Sequence, residues 1–200
     1  MLELFTIGHS NHAMEQFLGL LGQHGVSAVA DVRSSPYSAY SPHFSKEPLQ
    51  NALRQAGFEY VFLGQELGAR RGEASCYVNG QARYDRIKDL PAFSAGLERL
   101  REGMDNFRVA LMCSEADPLT CHRTILVCRE IKQRMPSIQI THILPDGAEE
   151  PHAAAEERLV RLHKLEPELF GELSTVEGLL ERAYDLQAER IAYRKEETAE

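Results

Sequence analysis

A chain of 200 residues, 43% hydrophobic and 26% charged, has room for one domain with a three-layer core. No apolar run reaches the roughly 18 residues of a membrane helix, and the opening MLELFTIGHS lacks the features of a secretion signal, so a cytoplasmic setting without a membrane partner is expected. The net charge of −8 is uneven: residues 1–148 hold 15 Lys+Arg against 16 Asp+Glu, and residues 149–200 hold the remaining 7 against 14. The acidity belongs to the tail, which disfavours broad nucleic-acid binding but leaves room for a local anion site.

In chain order, short β-rich runs alternate with longer segments of helical period, the pattern of βαβ units. Strands are expected at 4–7, 28–32, 60–63, 109–113 and 140–144. A helix over 13–24 shows Phe17, Leu18, Leu20 and Leu21 on one face, with Gly25 as its stop. A second, over 45–57, has Ser45 as N-cap. Residues 64–90 read as a long glycine-bearing loop, a helix follows over 91–103 with Pro91 at its start, and another runs over 120–134. Pro145-Asp146-Gly147 is a turn that marks the expected end of the core. Amphipathic helices over 153–165 and 175–192 then form an extension. The expected fold is α/β, three-layered, with a mainly parallel sheet flanked by helices. Residues 1–148 make the core domain, and 149–200 an acidic helical extension packed on the core or at a homodimer interface.

Three of the strands run into polar clusters: Gly8-His9-Ser10-Asn11, Arg33-Ser34-Ser35-Pro36 and Cys113-Ser114-Glu115. In a parallel sheet these ends share one edge, the edge at which open α/β sheets bind ligands. His9 titrates near neutral pH and leaves its strand toward that edge. Ser10 and Asn11 serve either a ligand or the cap of the following helix. Asp31 and Arg33 alternate with Val32 and share a face. They form either a buried ion pair or an anion fork that Asp31 orients, with Ser34 beside it.

Residues 113–123 carry the most chemistry. Cys121, His122 and Arg123 fall at a helix start, where a thiolate and an oxyanion are both favoured. Cys121 is a candidate nucleophile, His9 or His122 the acid/base group, Glu115 a carboxyl that could share that work, and Arg123 an anion contact. The alternative is a buried, inert Cys121 with Arg123 paired to Glu115. Cys76, Cys113, Cys121 and Cys128 show no disulfide framework and are expected to be reduced. Cys113, Cys121, His122 and His9 are ligand types, but no Cys-x-x-Cys or His-x-x-x-His spacing joins them, so no metal is assigned. Dinucleotide and phosphate-loop fingerprints are missing from the sequence, and no cofactor is named.

The segments Thr6-Ile7-Gly8-His9-Ser10-Asn11 and Asp31-Val32-Arg33-Ser34-Ser35-Pro36, with Phe44 and Leu67-Gly68, stand in the same order as the motifs of the domain-of-unknown-function family numbered 488. So do Leu111 to Glu115, Pro118 and Cys121-His122-Arg123. The chain resembles that family over about residues 4–144. The resemblance implies an α/β fold and a pocket built from these motif residues. It implies no reaction, and it does not reach the tail.

Two functions stay open. One is an enzyme, a thiol-dependent transferase or hydrolase, acting on a small anionic or nucleotide-like substrate. The other is a non-catalytic module for a nucleotide, a nucleic-acid end or a phosphorylated ligand, with Tyr37, Tyr40, Phe44, Tyr77 and Tyr84 as stacking surfaces.

Overall fold

The computed structural model describes residues 2–195. Eight strands form: β1 (Glu3–Gly8), β2 (Ala28–Asp31), β3 (Glu59–Phe62), β4 (Tyr77–Val78), β5 (Gln81–Ala82), β6 (Val109–Cys113), β7 (Gln139–Ile143) and β8 (Glu149–Pro151). Six of them make one sheet in the order β3-β2-β6-β1-β7-β8. The first five are parallel, and β8 folds back antiparallel on β7. Strands buried on both faces read as continuous apolar runs, which is why Val109–Cys113 is apolar throughout.

Side-chain alternation divides the sheet's two faces between two cores. Phe5, Ile7, Val29, Ala110 and Met112 point to one side, where Phe17, Leu20 and Leu21 of α1 (Met14–Gln23) and Leu49 and Leu53 of α2 (Lys46–Gln55) cover them. Leu4, Ala28, Ala30, Val109, Leu111 and Cys113 point to the other. There α5 (Pro91–Met104), α6 (Arg129–Arg134), α7 (His152–Leu162) and α8 (Val176–Ile191) supply the cover. The result is the expected three layers. The chain leaves β1 for α1 on one face and leaves β6 for α6 on the other. The β1/β6 boundary is therefore the switch point at which doubly wound sheets open a crevice.

Two expectations change. Residues 64–90 are not an irregular loop: they hold α3 (Gly64–Leu67), the β4–β5 hairpin and α4 (Tyr84–Ile87), and they bury Leu67, Cys76, Tyr84 and Ile87. Gly64 and Gly68 let this segment pass against β2, since a Cβ on either would strike the Arg33 carbonyl or the Gly64 carbonyl and Ser34. The sheet also continues past the turn at residues 145–147. Gly147 takes a positive φ of 86°, and β8 follows it directly. Leu159, Ala183 and Tyr184 of the extension lie in the same apolar cluster as β6.

Candidate functional site

At the end of β2, Arg33 and Asp31 meet in a bidentate pair, Nε to Oδ1 at 2.9 Å and Nη2 to Oδ2 at 2.7 Å. Both side chains are buried, with Asp31 fully so. Tyr60 donates a third hydrogen bond to Asp31 Oδ2 at 2.9 Å, and the Arg33 amide a fourth to Oδ1. The remaining guanidinium nitrogen, Nη1, lies 3.3 Å from His9 Nε2. Because His9 Nδ1 faces the Ser10 carbonyl at 2.9 Å, Nδ1 carries the proton and Nε2 accepts from Arg33. Burial and then the Arg33 charge push the His9 pKa down to about 4, so the ring is neutral at pH 7. Phe44 stacks on it with centroids 4.5 Å apart.

At the end of the neighbouring strand, β6, a different group forms around sulfur. Cys113 ends β6, and Cys121 and His122 precede a π-helical turn, Arg123–Cys128, that runs on into α6. Such turns occur often at functional sites. His122 donates from Nε2 to the Val32 carbonyl at 2.9 Å. This leaves Nδ1 facing the two sulfurs, 3.7 Å from Cys113 and 4.0 Å from Cys121. The Arg123 amide also points at Cys121 Sγ, at 3.5 Å.

Arg123 is completely buried, yet its donors go to the Glu115 carbonyl (2.6 Å), the Ala116 carbonyl (3.2 Å) and Thr6 Oγ1 (3.4 Å). Among the described residues it makes no ion pair with a carboxylate. Gly8 makes this possible, because any Cβ there would collide with the Glu115 carbonyl that Arg123 holds. Burial opposes ionisation of Cys121, but the hydrogen bond from Cys113, the Arg123 charge and His122 together bring its pKa well below the ordinary thiol value. Cys113 moves well above it, as the hydrogen-bonding partner of that sulfur and through burial. His122 is raised: burial opposes, and the Cys121 sulfur outweighs it. Burial and then Cys121 raise Glu115.

A cavity of about 310 Å³ opens onto these sulfurs. Of the residues singled out in the sequence as catalytic or substrate-binding, Arg33, Ser34, Glu115, Cys121 and His122 line it, as does Cys113. His9, Ser10, Asn11, Asp31 and Arg123 do not; His9 and Asp31 lie behind Arg33, and Arg123 behind the 114–117 segment. Ser10 takes a positive φ of 46° and bonds to Asn11. The lining also includes Arg70, the expected stacking surfaces Tyr37 and Tyr84, and Ile191 and Tyr193, which no motif in the sequence marks. Arg70 packs its guanidinium 4.6 Å from the Tyr193 ring centroid, and its amide donates to Ser34 Oγ at 2.8 Å.

The extension reaches the site a second way. Thr6 accepts from Arg123 and so turns its hydroxyl proton to His142 Nδ1, 2.7 Å away. His142 Nε2 then donates to His152 Nδ1 at 3.0 Å, and His152 Nε2 faces Glu156 at 3.4 Å. Tyr184 donates to the same carboxylate at 3.0 Å. All the donors along this chain point from Arg123 toward Glu156. Burial, followed by His152, lowers the His142 pKa well below the usual value, which keeps that ring neutral within it.

A doubly wound α/β domain with a thiol–imidazole pair and a buried guanidinium at its switch point is the class of protein that fold and site define. The chain belongs to the family described as Domain of unknown function DUF488, whose model matches residues 13–129. That stretch holds Asp31 to Pro36 and Cys113 to Arg123, and it stops before α7, α8 and Tyr193. Among curated proteins and among solved structures, nothing matches the chain.

Proposed function

We propose that the chain is a thiol-dependent transferase or hydrolase acting on a small anionic or nucleotide-like substrate. The observation that carries this is the buried Arg123, which has no carboxylate partner among the described residues and lies beside a cysteine that opens onto a cavity. A thiolate is the reactive form of cysteine, and a nearby cation and imidazole favour it at neutral pH. Cys121 would attack the electrophilic centre, forming a bond from Sγ as the bond to the leaving group breaks. His122 or Glu115 would give the departing group its proton, since both are shifted toward holding one. Arg33 and Arg70, on the cavity wall, would meet the substrate's negative charge. His9 and Asp31 would act as positioning residues for Arg33, and Arg123 would act on Cys121 through space.

The test is alkylation of Cys121 with iodoacetamide against pH, followed by mass spectrometry on chelator-treated protein. Half-maximal reaction should fall well below the ~8.5 of a free thiol. An ordinary titration near that value would leave the cavity to a non-catalytic binding module. The aromatic lining from Tyr37, Tyr84 and Tyr193 favours that second reading, in which a base stacks and Arg70 holds its phosphate.

A further inference from the structure

We infer that Cys113, Cys121 and His122 form a binding site for one zinc-class divalent cation, with a fourth position open to the cavity. The three donor atoms lie within 4.8 Å of one another. A tetrahedral zinc ion with Zn–S of about 2.3 Å and Zn–N of about 2.0–2.1 Å requires S···N edges near about 3.6 Å. The two S···N edges here are 3.7 and 4.0 Å, within a few tenths of an ångström of that value.

The imidazole is already set for ligation. Its Nε2 proton is committed to the Val32 carbonyl, which fixes the tautomer and aims the Nδ1 lone pair at the sulfurs. A backbone carbonyl behind a ligating histidine is a recurrent outer-shell arrangement that orients the ring and raises its basicity. Two thiolates and an imidazole suit zinc better than magnesium or calcium, which take oxygen ligands. Three protein ligands at a cavity wall match catalytic zinc sites, whereas structural ones are closed by four. The elements holding the ligands are also rigid: Cys113 ends a central strand, and Cys121 leads into a buried helical turn. The segment before Cys121 is tied down by Asp117 at the start of its own turn and by Gln187, which donates to the Leu119 carbonyl at 2.6 Å.

The cation site shares Cys121 and His122 with the proposed function but does not depend on thiolate attack. With an ion bound, Cys121 is a ligand, and an anion in the cavity would face the cation instead of the sulfur. Loading by this ion and alkylation of Cys121 therefore exclude each other, which makes the two ideas separable.

Full-length protein freed of metal by a chelator should be titrated with cobalt(II), with zinc then added as competitor. One equivalent of cobalt should produce a thiolate-to-metal charge-transfer band, zinc should abolish it, and one equivalent of zinc should protect Cys121 from alkylation. Cys113→Ser and His122→Gln should each weaken cobalt binding by more than about 100-fold, beyond what loss of an outer-shell partner causes. His122→Gln keeps an amide donor for Val32, so it tests ligation if Cys113→Ser does not fold. Lack of a charge-transfer band in the wild type, or unchanged affinity in a folded variant, overturns the site. If cobalt fails to bind while Cys121 still reacts at low pH, the metal site falls and the thiol enzyme stands. Tight cobalt binding with an ordinary thiol titration upholds the metal site and removes the thiol enzyme.

Discussion

Two corners of the switch point each hold a buried arginine, and they handle its charge in opposite ways. At the β2 corner, Arg33 is matched by Asp31 in a two-bonded pair that Tyr60 and His9 complete. At the β6 corner, Arg123 has backbone carbonyls and a threonine around it, and its charge helps lower the pKa of the Cys121 thiol. The first arrangement cancels its charge locally and serves as a strut that still shows one edge to the cavity. The second leaves charge uncancelled, and a neighbouring thiol responds to it. A buried arginine thus reads as structural or electrostatic according to whether a carboxylate meets it.

The sharpest way to break this contrast is Asp31→Ala, which strands the Arg33 charge. It should cost about 3–5 kcal/mol, the usual loss when one member of a buried pair is removed, measured by urea denaturation. A loss below about 1 kcal/mol would mean that solvent or another anion already serves Arg33.

Next is a pH effect at His9, which the folded protein holds neutral down to about 4. The unfolded chain takes up that proton near its ordinary 6.5, so unfolding binds a proton between those two values. The contribution is present above pH 6.5 and is lost as pH falls toward 4. It amounts to at most about 3 kcal/mol at roughly 1.36 kcal/mol per pH unit. His9→Gln, which keeps an acceptor for Arg33, should flatten stability across that window. An unchanged pH slope would place the titration elsewhere.

Arg123→Met should cost about 1–3 kcal/mol, because the Glu115 and Ala116 carbonyls lose their donor. Its more telling effect is on Cys121, whose alkylation midpoint should move up toward the free-thiol value in the chelator-treated protein. Arg33→Lys should leave that midpoint where it was. Should Arg33→Lys move it as far as Arg123→Met does, the two corners would not be electrostatically distinct. The smallest effect belongs to Tyr60→Phe. It removes one of several donors to Asp31 from a half-buried ring, and should cost about 1 kcal/mol in the same denaturation assay.

The contrast between the corners was only half legible in the sequence. Asp31 and Arg33 are two residues apart on one strand, so their common face follows from alternation alone. Arg123 and Glu115 also suggested a pair, but Arg123 takes the main-chain oxygen of Glu115, and sequence carries no mark for a backbone partner. The five parallel strands could be read as short apolar, β-rich runs, and the longer helices by their period. The four-residue helices α3 and α4 and the two-residue strands β4 and β5 are too short to show one, so 64–90 looked irregular. The meeting of Cys113 with Cys121 and His122 followed from the single strand-to-helix connection that carries all three. The chain through Thr6, His142 and His152 did not, since its members are placed by β1, β7 and α7 and meet only in the packed fold.

The cavity's far wall sets a schedule for its assembly. Tyr193 reaches the site because the segment after α8 pairs with the β4–β5 hairpin, through Ala82 to the Tyr193 carbonyl and Lys195 to the Gly80 carbonyl, each at 2.8 Å. Tyr193 lies 80 residues downstream of Cys113, by the difference of their numbers. Ribosomes add about 5–20 residues per second, so the sulfurs are synthesised roughly 4–16 s before the residue that walls them in. Until Tyr193 is in place, the cavity lacks that wall.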